Sequence, residues 1–509
     1  MQRLILTILA GLFALSSSGF SQYGSQGQHY LYSGDRRIAV IMLAWQDTPC
    51  PTNRQTVVDR VWNNSQSTRK YFLAMSRGLL DCVPPADAVN GVVPASTSAV
   101  YGPYTLSIAD GYEADVTYNT LVENGLTEEG SRYMDGAHPI ARQLAAERDG
   151  FDAQNYDYII YITPKGPSTG STGGYAGVQD FYQHIYVANQ NYINHEMGHS
   201  LGLAHSNTSI DVDGYGSQDC VMGNANNPHL DAVHTYNLGW YPDDVFSVQS
   251  YGQYTIENLA QPGTDNVKVV RFDRSAHNAI TRPNYDLWVS YRVKGVGHDS
   301  SLNNHWDRKV NIHYCLTASD RPSDPVANSN YYNWWGWVYY YTNNNVAQLL
   351  PGGNYTDPDG GLCKVRFLRE DNPGNQSAVI QLIDPNGNQP PSIPSGQNIS
   401  VSTASPSFTI TASDPENNPL TYSIVEQPSG GTLTVSGDTF TFSGTAGTYT
   451  FKARVNDGQY DSSDQVITFH SNTAPTVTAS STQTTVTLSE GTYPWTPADI
   501  TTTVWYDPA

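Results

Sequence analysis

The chain has 509 residues, a length typical of two to four folded domains, and 39% of its residues are hydrophobic. Its formal net charge of −21 would repel nucleic acid and anionic membranes, so the composition excludes both as partners. Beyond the N-terminus no apolar run is long enough to span a bilayer, and we expect no transmembrane segment.

Residues 1–21 have the pattern of a secretory signal peptide. A positively charged start at Arg3 is followed by the apolar stretch 4–15 and then by small residues. We expect cleavage after Ser21, which leaves a short N-terminal segment over residues 22–35. The mature protein is therefore expected to be secreted and extracellular.

Five cysteines fit an oxidising compartment, in which disulfide bonds persist. Proximity within the predicted domains favours two disulfides, Cys50 with Cys82 and Cys315 with Cys363. The odd count leaves Cys220, which we interpret as a buried free thiol. The alternative is that a Cys220 thiolate competes for a metal ion.

Strand and helix patterns alternate in the first half of the chain, over residues 36–245. Residues 38–45 are continuously apolar, as in a strand that is buried on both faces, and 158–162 predict a second such strand. Helical spacing and end signals predict helices over 67–76 and 139–148. These elements indicate an α/β layer, a twisted sheet with helices packed against it.

The eleven residues from His195 to His205 read H-E-x-x-H-x-x-G-x-x-H. On a helix, His195 and His199 share one face, and two imidazole nitrogens on that face suit a Zn²⁺ ion. Glu196 lies beside the first ligand, in position to act on a zinc-bound water. Gly202 permits the sharp turn that ends the helix and returns His205 as a third ligand. Three protein ligands leave a fourth position open, which is the catalytic pattern.

This stretch resembles the zinc helix of the metzincin metalloproteases, which also place a methionine in a tight turn beneath the zinc. Asp219-Cys-Val-Met-Gly223 matches such a turn. The run from the zinc helix through this turn to Asn237-Leu-Gly-Trp240 resembles the gametolysin-like (autolysin) peptidases. The resemblance implies a metzincin-type α/β catalytic domain over residues 36–245. It also implies a set of roles: zinc ligands His195, His199 and His205, general base Glu196, and turn residues Gly202 and Met222.

Two segments that precede the zinc helix, Ser171–Gly177 and His184–Val187, complete this comparison. The resemblance implies an edge strand here that lines the cleft, on which a peptide docks as an added strand. His184, His229 and His234 are further possible ligands. A histidine that is satisfied by ordinary hydrogen bonds is the alternative interpretation of each.

Calcium is a second candidate cofactor, because several turns are rich in oxygen ligands. Residues 209–219 carry three aspartates, without the spacing of an EF-hand, and an ordinary acidic turn is the alternative. Asp414–Glu416 and Asn456–Gly458 resemble segments of cadherin-like and Ig-like modules, some of which bind calcium.

The second half of the chain has the alternating pattern of β-strands. Residues 246–384 predict a β-rich domain, and the turn-rich residues 385–390 predict a linker. Residues 391–470 predict an Ig/cadherin-like β-sandwich, which is a candidate for binding an extracellular surface or glycan. Residues 471–509 restart the same pattern and predict a partial repeat or a C-terminal extension.

Together these features predict a multidomain, secreted zinc endopeptidase that hydrolyses extracellular proteins or glycoproteins. Two alternatives stay open. One is a zinc-containing adhesion or matrix-binding protein without turnover, which the Ig-like module would suit. The other is a zinc hydrolase that cleaves a non-peptide amide, which the zinc helix by itself does not exclude.

Overall fold

The computed structural model describes residues 32–106, 137–165, 173–176, 181–186, 188–203, 205–207, 217–223, 227–240, 246–261, 266–272, 285–316, 343–357, 361–371, 376–402, 406–473, 477–478 and 487–488. The predicted signal peptide, the acidic turn over 209–216 and most of the segment 471–509 lie outside the described residues. Among the helices described, none is long and apolar enough to cross a bilayer.

The chain divides into two compact units. Unit one consists of Met1–Val248 and Glu257–Gln348, and unit two consists of Gln249–Ile256 and Leu349–Ala509. The residues predicted to form one β-rich domain, 246–384, are therefore divided between the two units. Strand pairing accounts for this division, because strands that are neighbours in sequence join different sheets.

Five α-helices are described, and side chains cap the start of three of them. Before the first helix, Asn53 Oδ1 accepts a hydrogen bond from the Thr56 backbone N–H at 2.9 Å. Ser67 accepts a hydrogen bond from the Lys70 backbone N–H, and Asp231 accepts one from the His234 backbone N–H, as helix N-caps commonly do. A π-helical turn, Asp59–Asn63, continues the first helix, and 3₁₀ turns span Ala153–Asn155 and Gly297–Ser301. The helices are α1 Arg54–Val58, α2 Thr68–Met75, α3 Ala137–Asp149, α4 Gln190–Ser200 and α5 Ala232–Asn237.

The strands are numbered in chain order. The first half of the chain contains β1 Gly34–Asp35, β2 Ile38–Trp45, β3 Leu80–Asp81, β4 Val100–Leu106, β5 Tyr158–Ile162, β6 Gly174–Ala176, β7 Tyr182–Ile185 and β8 Ser206–Asn207. The middle contains β9 Phe246–Gln249, β10 Gly252–Glu257, β11 Val269–Phe272, β12 Tyr285–Arg292, β13 Lys309–Leu316, β14 Asn343–Leu349, β15 Asn354–Thr356, β16 Lys364–Glu370 and β17 Ser377–Ile383. The last part contains β18 Asn398–Ser402, β19 Ser407–Thr409, β20 Thr421–Glu426, β21 Gly431–Ser436, β22 Thr439–Gly444, β23 Gly447–Asn456, β24 Gln465–Asn472, β25 Val477–Thr478 and β26 Thr487–Leu488.

A five-stranded sheet in the order β4-β2-β5-β7-β6 forms the centre of unit one. The first four strands are parallel, and β6 runs antiparallel to β7 at the edge of the sheet. Strand β2 is buried at every position, as its continuous apolar sequence predicts, because apolar residues pack on both faces of the sheet. Helix α3 contacts one face through Ala141 and Ala145, and α4 lies in the core on the other through Ile193 and Met197.

A second sheet of unit one has the order β8-β14-β13-β12-β11-β9. Its first strand, β8, starts at the residue after His205, so the sheet begins directly beside the predicted zinc motif. Strands β12 and β13 pair antiparallel over their whole length, from Tyr285 opposite Leu316 to Arg292 opposite Lys309. These two strands supply buried polar side chains to the region behind the motif.

Unit two contains one sheet in the order β10-β17-β16-β15 and a sandwich of two further sheets. The sandwich sheets have the orders β18-β24-β23-β20 and β19-β22-β21. Aromatic side chains from both sheets meet in its core, where the ring centroids of Phe408 and Phe469 are 5.2 Å apart. The β-sandwich predicted over residues 391–470 is therefore present.

The predicted linker, residues 385–390, is held at both ends by side-chain hydrogen bonds. Gln389 Nε2 donates to the Asp384 carbonyl oxygen at 2.7 Å, and Asn388 Nδ2 donates to Asp457 Oδ2 at 2.9 Å. Glu416 Oε2 accepts from the Gln389 backbone N–H at 3.0 Å. These contacts join the linker to the sheet before it and to the sandwich after it.

The predicted disulfides are not formed. Cys50, Cys82, Cys220 and Cys363 form no disulfide bond, and the side chain of Cys315 lies outside the described residues. Cys82 belongs to the apolar core of unit one, where burial raises its pKa to about 12 and keeps the thiol protonated. Order along the chain does not determine how two Cβ atoms face each other, and a disulfide requires that they do. Cys220 is buried and forms no disulfide bond, as predicted.

Asp461 joins three segments of unit two. Its Oδ2 atom accepts hydrogen bonds from Gln253 Nε2 and Arg369 Nη2, both at 2.9 Å, and its Oδ1 atom accepts one from Asn456 Nδ2 at 2.9 Å. Burial alone raises the pKa of the Asp461 carboxyl, but these hydrogen bonds outweigh burial and hold the pKa below its ordinary value.

We therefore predict that Asp461→Asn lowers the free energy of unfolding of unit two by about 1–3 kcal/mol at neutral pH. The folded-state pKa is depressed, so the carboxylate stabilises the fold above the unfolded pKa of 3.8 and ceases to do so as the pH falls through the folded value. Denaturant unfolding at neutral pH and near pH 3, with the exposed Asp438→Asn as control, measures the difference. A loss of equal size at both pH values would contradict this account.

Candidate metal centre

Three histidines converge at the C-terminal end of helix α4. His195 and His199 lie one turn apart on this helix, and His205 follows the turn that ends it. The ring centroids are 4.8 Å apart for His195 and His199, 4.8 Å for His199 and His205, and 5.4 Å for His195 and His205. One ring nitrogen of each residue lies within 4.8 Å of the corresponding atoms of the other two.

Backbone carbonyls orient two of these rings. His195 Nδ1 lies 2.7 Å from the Val221 carbonyl oxygen, and His199 Nδ1 lies 2.7 Å from that of Leu203. A carbonyl only accepts, so each Nδ1 carries the hydrogen and each Nε2 presents a lone pair. Burial lowers the pKa of His195 to about 3 and that of His199 well below its ordinary value, so both rings are neutral, as metal ligands must be.

The turn after α4 depends on Gly202. This residue has a φ of 92°, in the left-handed region that glycine adopts most readily. Its N–H donates to the His199 carbonyl oxygen at 2.8 Å, and the Leu203 N–H donates to the Gly198 carbonyl oxygen at 3.0 Å. This pair of bonds is a Schellman motif, which reverses the chain and brings His205 back towards the helix.

The turn that contains Met222 packs directly against α4. A Cβ atom on Gly198 would lie 2.2 Å from Met222 Sδ, and a Cβ atom on Gly223 would lie 2.1 Å from the Ser217 carbonyl oxygen. The Ser206 backbone N–H donates to the Met222 carbonyl oxygen at 2.9 Å, which joins the turn to β8. Glycine at position 198 therefore leaves room for the Met222 side chain, and glycine at position 223 leaves room for the Ser217 backbone.

Glu196 is buried beside the first histidine, with a relative exposure of 4%. Burial raises its pKa well above the ordinary value, although a hydrogen bond from the backbone of Ala176 on β6 opposes the rise. Among the residues that the structure describes, none makes a hydrogen bond with the second carboxyl oxygen, Oε2. This carboxyl is therefore attached to the edge strand at one oxygen and available for a proton or a water molecule at the other.

The three further histidines have other surroundings. His184 is buried, 2.6 Å from Thr163 Oγ1 through Nε2 and 2.9 Å from His138 Nε2 through Nδ1, and burial lowers its pKa to about 3. His229 Nδ1 lies 2.5 Å from the Leu230 carbonyl oxygen. His234 contacts Cys220 and Asp231 in a separate cluster, so none of the three joins the converging set.

A buried polar network that the sequence does not predict lies behind the methionine turn. Arg292 on β12 is completely buried, and its Nη1 donates to the Asp219 carbonyl oxygen at 2.8 Å. Its Nε donates to Asp299 Oδ2 at 2.7 Å, and Asp219 Oδ2 lies 3.2 Å from His313 Nε2 on β13. An arginine in an alternating strand gives no signal of burial, because its partners come from distant parts of the sequence.

The arrangement fits a zinc ion. Neutral imidazoles supply the ligand type that zinc prefers, and tetrahedral coordination at Zn–N distances near 2.05 Å would separate two ligand nitrogens by about 3.3 Å. His199 Nε2 and His205 Nε2 are 3.1 Å apart. Glu196 Oε2 adds a buried oxygen atom on the adjacent side chain.

Comparison with known families agrees with the motif. Residues 141–333 match the family model described as Gametolysin peptidase M11, and residues 388–470 match that of a bacterial Ig domain. Residues 141–333 are therefore similar to the gametolysin peptidases and residues 388–470 to a bacterial Ig domain, as the sequence predicts.

Other comparisons add little. No curated protein matches the chain significantly. A human PKD domain is similar at 15% identity, with 19% of this chain and 93% of that chain covered and a TM-score of 0.15. An endo-fucoidan hydrolase of glycoside hydrolase family 107 is similar at 13% identity, with 50% of this chain and 34% of that chain covered and a TM-score of 0.15. At such TM-scores neither similarity carries an argument.

The close contact between Gly198 and Met222 makes a testable prediction. Gly198→Ala should destabilise unit one by about 1–3 kcal/mol through overpacking, although alanine is otherwise the better helix former. Met222→Ala should cost about 2–5 kcal/mol through the cavity that it leaves. The double variant should lose clearly less than the sum, since the shortened side chain makes room for the new methyl group. Denaturant unfolding of all four proteins measures this coupling, and strict additivity would show that the two residues do not compete for space.

Proposed function

We propose that this protein is a secreted zinc-dependent endopeptidase that cleaves peptide bonds of extracellular proteins. The observation that carries the proposal is the convergence of three histidine rings beside a buried carboxyl, within the residues that match the peptidase family. In this proposal His195, His199 and His205 hold the zinc ion. When bound, zinc acts as a Lewis acid, which lowers the pKa of a water molecule and polarises the scissile carbonyl.

Glu196 handles the proton in this proposal. A carboxylate whose pKa is raised by burial binds a proton more readily than an exposed one, which suits a general base at neutral pH. Its Oε2 atom takes the proton of the attacking water and returns it to the leaving amine. Its bond to the backbone of Ala176 fixes the carboxyl relative to the edge strand, so that proton transfer takes place in a set geometry.

The edge of the central sheet supplies a docking position for substrate. Strand β6 ends the sheet order among the described strands, and its backbone contacts Glu196. An extended peptide that pairs with β6 would obtain main-chain hydrogen bonds while its scissile bond lies near the carboxyl. Such binding is independent of side chains over much of its length, which suits a protease of extracellular proteins or glycoproteins. The Ig-like module would then attach the enzyme to an extracellular surface or glycan.

The general base can be tested with Glu196→Gln, which keeps the shape of the side chain but removes the proton acceptor. We expect the kcat/KM for casein to fall by about 10²–10⁴-fold, with about one equivalent of zinc retained by the histidine site. Glu147→Gln, an exposed change on α3, is the matched control and should leave activity unchanged. Hydrolysis of casein by the Glu196→Gln protein at the wild-type rate would rule out this role.

The same proteins separate the two alternatives when a non-peptide amide is assayed beside casein. A wild-type protein that binds zinc at the histidines yet cleaves no peptide would favour the adhesion protein without turnover. Cleavage of a non-peptide amide that depends on Glu196, without cleavage of casein, would favour the second alternative. Both outcomes would overturn the endopeptidase proposal while leaving the metal site intact.

A further inference from the structure

A second group of potential metal ligands lies behind the methionine turn. Cys220, Asp231 and His234 are completely buried, and one ligand atom from each lies within 4.8 Å of the others. His234 Nδ1 is 3.4 Å from Cys220 Sγ and 3.2 Å from Asp231 Oδ2. The cluster shares no residue with the three histidines of the candidate active site.

These separations match the distances between ligand atoms in a tetrahedral zinc site. With ordinary zinc–ligand distances, a sulfur and a nitrogen ligand are about 3.5 Å apart, and a nitrogen and an oxygen ligand about 3.3 Å. The observed values of 3.4 Å and 3.2 Å agree with both. The agreement is as close as that of the His199 and His205 nitrogens, which are 3.1 Å apart.

Backbone donors point at the sulfur atom of Cys220. Its Sγ accepts from the Asp231 backbone N–H at 3.4 Å, and the Met222 backbone contributes a second hydrogen bond. Burial and the Asp231 carboxylate nevertheless raise the pKa of this thiol well above its ordinary value, so a bound metal ion would have to displace its proton. The sulfur also faces His234 Nδ1, an atom that carries at most one hydrogen and cannot donate fully to Cys220 and Asp231 together.

Charge in this region favours a cation. Asp219, Asp231 and Asp299 are buried, and Arg292 supplies one buried positive charge. His313 Nε2 lies 3.2 Å from Asp219 Oδ2. A divalent ion bound to Asp231 and Cys220 would add positive charge beside these buried carboxyl groups, which favours their ionised forms.

We propose that Cys220, Asp231 and His234 bind a second zinc ion, separate from the one at the three histidines. Ser206 Oγ donates to Asp231 Oδ2 at 3.2 Å, so it lies at the edge of the cluster. Thiolate, imidazole and carboxylate form a ligand set that zinc accepts, whereas calcium and magnesium prefer oxygen ligands alone.

The position of this ion gives it a mechanical role. Cys220 would hold the ion, the adjacent Val221 carbonyl orients His195, and Met222 packs against Gly198. The other two ligands belong to the start of α5, where Asp231 is the N-cap and His234 lies in the first turn. The second ion would therefore join α5 to the turn that supports the candidate active site.

The test is a cobalt titration of the full chain after removal of bound metal with a chelator. We expect two equivalents of Co²⁺ to bind, with a thiolate-to-cobalt charge-transfer absorption in the near ultraviolet. The three-histidine site contains no sulfur, so this absorption reports on the second site alone. One equivalent of cobalt without that absorption would overturn the proposal, whatever the variants do.

Variants assign the absorption to Cys220 and separate the two sites. Cys220→Ser should lose the absorption and one equivalent of cobalt, whereas Cys363→Ser, at a buried thiol of unit two, should keep both. His205→Ala should weaken binding at the histidine site and keep the absorption. An absorption that survives in Cys220→Ser would overturn the assignment, and its loss in His205→Ala would show that the two sites are not distinct.

Discussion

The candidate active site depends on one close packing contact, that of the methionine turn against helix α4. Gly198 lets Met222 lie directly beneath the helix, and in the same turn the Val221 carbonyl accepts from His195 Nδ1. The same turn therefore packs against the helix through Met222 and fixes the tautomer of His195 through the Val221 carbonyl. The Schellman turn at Gly202 then reverses the chain and brings His205 back towards the helix, so that the three histidine rings lie together.

A buried network of charged side chains packs behind the methionine turn and stabilises its contact with helix α4. Arg292 reaches across from β12 to the Asp219 carbonyl and to the Asp299 carboxylate, and His313 on β13 faces Asp219. Such groups lose their hydration on folding, so the turn is stable only when all of its partners are in place. Strands β12 and β13, which lie beyond the motif in sequence, are in this way part of the same unit as the peptidase sheet. This explains why the matched family region continues past the zinc motif to residue 333.

Unit two follows a different principle. Its sandwich is held by an aromatic core that includes Phe408, Phe440 and Phe469, and the ion pair of Arg369 and Asp461 lies where the sandwich meets the four-stranded sheet. Asp461 and the Gln389 linker contacts make these sheets one compact unit. A module of this kind keeps its own core, which suits a part whose proposed task is attachment instead of catalysis.

Local sequence determined much of this protein. The apolar run of β2, the cap at Ser67, the alternating strands of the sandwich and the spacing of His195, Glu196, His199, Gly202 and His205 all depend on short-range rules of periodicity and turn chemistry. Tertiary structure decided the remaining features, because these features depend on contacts between residues that are distant in the chain. Examples are the free state of Cys50 and Cys82, the division of residues 246–384 between two units, and the burial of Arg292. The cluster of Cys220, Asp231 and His234 belongs to the same group, since its ligands are brought together by a turn and a helix cap that pack against each other in the fold.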